Sequence, residues 1–187
     1  MKENHKDRRV KYTIMVLKDA LVQLMQEEHI SKISVKSICE LADINRSTFY
    51  THFDDQYALL HYIEKEVLDN IKKHLEKQNF SDKRPISVQV LSRILEYVRK
   101  NAELFKALLS DNCEPGIQRE LMNFSQFISF KLHKKYDKRV REYFNVYATT
   151  GCISVLQKWL QDGMIETEPQ ISEYIMQMLY SGMSSFE

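Results

Sequence analysis

The chain reaches Pro85 before it meets a proline and Gly116 before it meets a glycine. Hairpins and tight loops draw on these two residues for backbone angles that the others avoid. A chain with four Gly and three Pro in 187 residues is therefore confined to helices joined by short polar links. Its 43% hydrophobic content is enough for a packed core, so the expected fold class is all-α, with about nine helices.

Residues 34 to 53, SVKSICELADINRSTFYTHF, are the most informative stretch. Ser34 is placed to cap a helix on whose one side Val35, Ile38, Leu41 and Ala42 fall. Asp43-Ile44-Asn45 breaks it, with Asp43 suited to a left-handed turn position and Asn45 to capping the next helix. There Phe49 and Phe53 share an inward face, while Arg46 and Tyr50, also four apart, share another with Ser47 and Thr51. Two short helices and a tight turn, the second with a polar outer edge, suit the major groove of DNA.

The flanks extend the pattern. Over 8–28, Val10, Ile14, Leu17, Leu21 and Leu24 form one stripe, and Asp55 can cap a fourth helix reaching about Glu76 with Tyr57, Leu60, Ile63, Val67 and Ile71 inward. This order, and the string NRSTFYTHF above all, resembles the tetracycline-repressor (TetR) family of bacterial regulators over residues 8 to 62, about a third of the chain. The resemblance implies a three-helix DNA-binding head with a helix-turn-helix in 1–54 and a larger helical effector-binding and dimerisation domain in 55–187. It implies that Arg46, Ser47 and Tyr50 meet base edges and that Thr48, Thr51 and His52 hold the phosphate backbone, with Lys36 and Asn45 completing the DNA-binding set. Arg suits the guanine edge by a bidentate contact, and Tyr a thymine methyl or a phosphate. Two residues depart from the family pattern. Asp43 replaces the turn glycine, and the lysine common at the start of the fourth helix is absent from Asp54-Asp55-Gln56.

Charge supports DNA binding only weakly. Residues 1–53 carry nine Lys and Arg against seven Asp and Glu, and the whole chain is +1. The placement is more useful than the total. Lys2, Lys6, Arg8, Arg9 and Lys11 form either an N-terminal arm along phosphates or a solvated tail, and Lys36 sits near the start of the second helix.

Beyond the polar, Pro85-bearing link at 78–87, helices are expected at 87–100, 102–110, 115–135, 138–161 and 169–183, with Gly163 as a stop and Thr167 as a cap. In the last two helices, Phe144, Tyr147, Ala148, Gly151, Cys152, Val155 and Trp159, then Ile171, Ile175, Met178, Leu179 and Met183, recur at helical spacing. They suit a four-helix bundle made by two copies, with Tyr147, Gly151, Val155, Trp159, Ile175, Met178 and Leu179 as the homodimer interface, or else the core of one copy. Tyr97, Phe105, Phe124, Phe127, Phe130, Tyr143 and Tyr147 supply aromatic surface for a small, largely apolar effector, or simply more core.

Other classes find less footing. The six His are scattered, and no Gly-rich phosphate loop, HExxH or GxSxG occurs, so no enzyme, cofactor or metal site is expected. Cys39, Cys113 and Cys152 are odd in number and set in apolar surroundings, as buried reduced thiols are; a redox switch is the alternative. No apolar run is long enough for a membrane span and the N-terminus lacks a signal-peptide core, which implies a cytoplasmic protein. The expected function is a DNA-binding transcriptional regulator, a repressor, that binds a near-palindromic operator as a homodimer and is released by a small molecule. A helical protein-interaction adaptor is the alternative.

Overall fold

A computed structural model describes residues 5–76, 87–113, 116 and 137–184. Among them the chain is all-α: α1 (His5–Met25), a 3-10 turn (Ile30–Lys32), α2 (Val35–Ala42), α3 (Arg46–Tyr50), α4 (Gln56–Glu76), α5 (Val88–Lys100), α6 (Ala102–Leu108), α7 (Lys138–Gln161) and α8 (Glu168–Ser184). The helix expected over 115–135 lies outside the described residues, apart from Gly116, which is helical.

The chain forms two compact units, one from the described residues of Met1–Val67 and Ala107–Glu114, the other from those of Leu68–Lys106 and Pro115–Glu187. In the first, α1 packs on α2 and α2 on α3. Leu17, Leu21, Ile30, Ile38, Phe49, Leu59, Leu60 and Ile63 are buried there almost completely. This unit runs past residue 54 because the inner face of α4 through Val67 is buried with it and Lys18 of α1 pairs with Glu66 of α4. α1 begins at His5, so Arg8, Arg9 and Lys11 are exposed residues of a helix and not an extended arm; Lys2 lies outside the described residues. Leu41, expected inward, is 43% exposed, since an eight-residue helix turned toward two neighbours already buries Val35, Ile38 and Cys39.

The second unit packs α5 and α7 on α8. Arg99 of α5 is its polar knot. Its Nη2 donates to the Glu166 carbonyl at 2.7 Å, its guanidinium is ion-paired with Glu168, and it lies 4.9 Å from the ring centre of Trp159. Trp159 is only 2% exposed and donates its indole N–H to the same Glu166 carbonyl at 3.1 Å. Between α5 and α8 the hydroxyls of Ser92 and Ser172 stand 3.1 Å apart; each also donates within its own helix, which lets both be buried.

Three residues expected in a dimer interface, Trp159, Ile175 and Leu179, are thus buried within one copy, at 5% exposure or less. A helix deep in a bundle has apolar residues on more than one side, and these belong to the inward one. Tyr147, Gly151 and Met178 are exposed and Val155 is half-buried.

Candidate nucleic-acid interface

α2 is held at both ends. Ser34 Oγ accepts from the Ser37 amide at 3.0 Å while Ser37 Oγ accepts from the Ser34 amide at 3.1 Å, a reciprocal capping box. At the other end Asp43 has φ 53°, and the Ile44 amide reaches back to the Cys39 carbonyl at 3.0 Å. This is the closure that usually takes glycine. The Asp43 carboxylate is tolerated because short polar side chains suit the left-handed region.

α3 has only five residues, too few to be stable alone. Asn45 Oδ1 fastens its start by accepting from the Ser47 amide at 2.9 Å and from the Ser47 hydroxyl at 2.8 Å. Its back is Phe49, fully buried, 5.8 Å from Phe53 and edge-on to Tyr50 at 5.7 Å. Phe53 in turn meets Tyr62 of α4 edge-on at 5.6 Å. Burying Phe49 contributes roughly 2–3 kcal/mol to holding the turn of helix in place.

The opposite edge is bare. Arg46, Ser47, Tyr50 and Thr51 are exposed, and Arg46 Nη2 donates to the Tyr50 hydroxyl at 3.5 Å. That hydrogen bond pushes the Arg46 guanidinium still further above its ordinary value, so it is a permanent cation. Thr51 donates to the Thr48 carbonyl at 2.6 Å, leaving its oxygen lone pairs outward. Thr48 and His52 are half-buried.

Beside this edge an open groove of about 540 Å³ is lined by Lys36, Cys39, Glu40, Asp43, Ile44, Asn45 and Arg46. Lys36 is exposed and faces Glu40 at 3.7 Å, so part of its charge is answered within α2. Burial pushes the Cys39 thiol up, with the nearby Arg46 charge opposing it. Of the eight residues expected to touch DNA, six therefore line one exposed strip with its groove, while Thr48 and His52 sit at its half-buried margin. Asn45 serves chiefly as a cap. The acidic rim of Glu40 and Asp43 was not anticipated as part of this surface, and only the α2–α3 turn brings it there.

The residues expected around an effector are dispersed. Tyr97 and Phe105 meet edge-on at 5.7 Å, Phe105 buried, and Tyr97 is stacked on His74 at 5.5 Å with its hydroxyl accepting from Asn70 Nδ2 at 3.2 Å. Phe124 and Phe127 lie outside the described residues. Tyr143 and Tyr147 do not join that cluster; they are 66% and 63% exposed, because α7 turns its Phe144 and Ala148 side inward instead. Among the described residues no three His, Cys, Asp or Glu are grouped to hold a metal ion, and no helix is long and apolar enough to cross a membrane.

A TetR-type family model, described as Transcriptional regulator C-terminal region, matches residues 87–181, half of the chain. The uncharacterized HTH-type transcriptional regulator YxbF of Bacillus subtilis (strain 168) is 16% identical over 170 residues, which cover 87% of this chain and 43% of the relative. The chain thus spans less than half of that curated relative's length. A TetR transcriptional regulator from Streptococcus agalactiae 2603V shares 22% identity with a TM-score of 0.66, covering 93% of this chain and 97% of that one. FadR from Bacillus subtilis, solved in complex with stearoyl-CoA, shares 16% with a TM-score of 0.62, covering 90% and 98%. At these identities the likeness is one of fold.

Proposed function

Since the chain belongs to the TetR family of transcriptional regulators, we propose that it is a DNA-binding repressor. In this reading it acts as a homodimer on a near-palindromic operator, in the cytoplasm, and is released by a small-molecule effector. The first compact unit is the reading head, and the second binds the effector and the partner copy. It works by binding and not by catalysis.

The observation that carries the reading is the α3 edge: a fixed cation, two hydroxyls and an exposed tyrosine on a helix anchored from behind by Phe49 and Phe53. Arg46 reads a guanine edge, Tyr50 supplies its ring or hydroxyl and Ser47 its hydroxyl beside it, and Thr48, Thr51 and His52 hold the phosphate backbone, with Lys36 adding charge; Ser47 and Thr51 turn their hydroxyl protons away from Asn45 and Thr48 to do so. One such helix reads too few bases for useful specificity. A two-fold pair reading half-sites about 34 Å apart doubles the contacts and requires a near-palindrome. The exposed Tyr147, Gly151 and Met178 are the surface offered to the second copy.

Repression is the simplest outcome, because a dimer covering a promoter excludes other proteins without needing a further contact. An effector that favours one arrangement of the paired heads over another shifts the population by its difference in affinity. The fold shared with a protein solved in complex with stearoyl-CoA supports such an effector.

The test is gel-shift binding to duplexes selected from the source genome. Tight binding that weakens as salt rises, and a drop of at least tenfold in Arg46→Ala combined with Tyr50→Ala, is expected. Equal retention by both proteins would return the chain to the class of helical adaptors.

A further inference from the structure

The link between α1 and the 3-10 turn is only residues 26–29, and one distant residue bridges its two ends. Asn112 Nδ2 donates to the Met25 carbonyl at 3.1 Å, and the Asn112 carbonyl accepts from the Ile30 amide at 2.9 Å. Both backbone groups need such a partner. The amides of Gln26, Glu27 and Glu28 turn back to Gln23 and Leu24, passing over Met25, the last residue of α1. Ile30 is fully buried, so its N–H has no access to water.

Asn112 is itself held firmly. Its amide donates to Ser110 Oγ at 3.2 Å, Ser110 Oγ donates to the Ala107 carbonyl at 2.8 Å, and Leu108, Leu109 and Cys113 are buried on either side. This segment lies within the C-terminal region matched by the family model, yet it belongs to the same compact unit as α1, α2 and α3.

We propose that Asn112 is a positioning residue for DNA reading: a latch across the α1–α2 link that sets where α2, and α3 upon it, lie against α1. The inference rests on the DNA-binding reading above. Displacement of Ile30 passes quickly to the reading helix. The Ile33 amide is bonded to the Ile30 carbonyl at 3.2 Å, Ser34 follows as the cap of α2, and α2 packs on α3. A shift of about 1 Å at the Arg46 edge is enough to spoil a two-point contact to a base, whereas single hydrogen bonds and the charge of Lys36 toward phosphate tolerate it.

Two full-length variants test it. Asn112→Asp sets a carboxylate against the Met25 carbonyl, and Asn112→Ala removes the donor without the repulsion. Each is measured on a duplex that the wild-type chain selects from a random pool and on a scrambled duplex of equal length. The Asp variant is expected to lose about tenfold on the selected duplex, the Ala variant less, and neither on the scrambled one. Amide exchange at Ile30 is expected to speed up while thermal melting shows the fold intact at the assay temperature. Unchanged affinity for the selected duplex, or a parallel fall on both duplexes in a variant that keeps its fold, overturns the proposal. If the Asp variant does not fold, the Ala variant carries the comparison. A wild-type chain that selects no duplex fails the DNA-binding reading itself, whereas selection by the wild type with indifferent variants overturns Asn112 alone.

Discussion

Cys152 shows how far surroundings fix a side chain's chemistry. It is half-buried on α7, and desolvation pushes its thiol up to about 11. Only the thiolate attacks oxidants and alkylating reagents, so a thiol that burial keeps protonated at neutral pH reacts slowly. The sign for stability follows from proton counts. Between its ordinary value of about 9 and about 11 the unfolded chain has lost the Cys152 proton and the folded chain has kept it, so folding weakens as pH rises through that window. Alkylation of the native protein should be far slower than of the urea-unfolded protein at pH 8, and the urea midpoint should fall from pH 9 to 11 less steeply in Cys152→Ala than in wild type. A native Cys152 that alkylates at the unfolded rate would contradict this.

The helix-turn-helix stands or falls by its ends. Ser34, Asn45 and Asp55 were legible as caps, and each accepts an amide hydrogen bond at its helix start, Asp55 from Ala58 at 2.8 Å. The turn between α2 and α3 depends on Asp43 at φ 53°, where a β-branched side chain is badly placed. Asp43→Val is expected to cost about 1–2 kcal/mol in urea unfolding, while Asp43→Gly is tolerated without loss. Equal effects of the two would mean that the backbone geometry is not what the position demands. Where α3 ends was less legible. Its helix stops at Tyr50, with Thr51 as its cap, and Phe53 just beyond it meets Tyr62. Helical spacing carried past that point has no means of registering the change.

For the molecule as a whole, the exposed side of α7 is the feature that a single copy leaves unexplained. Tyr143, Val146 and Tyr147 are more than half exposed, and a β-carbon added at Gly151 would meet nothing within 4 Å. If two copies meet there, Tyr147→Glu buries a charge in the joint and leaves the monomer fold untouched, since the side chain is already in water. Sedimentation velocity should then show a monomer with a wild-type helical signal, and operator affinity should fall by at least tenfold because half of the reading surface is lost. A Tyr147→Glu protein that stays dimeric moves the joint elsewhere on the chain.

Local chemistry was enough to reveal that the chain is helical, where most helices begin and end, that Phe49 and Phe53 face inward, and that Arg46 and Tyr50 share an outer edge. All of these follow from neighbours within about four residues, which is the distance over which helical spacing and capping act. It was silent on which apolar stripe meets which partner. Trp159, Ile175 and Leu179 went to the chain's own interior, Tyr143 and Tyr147 to its surface, and Asn112 to the end of a helix 87 residues earlier. Spacing tells which side of a helix avoids water, but what lies against that side is chosen by packing between segments far apart in the chain.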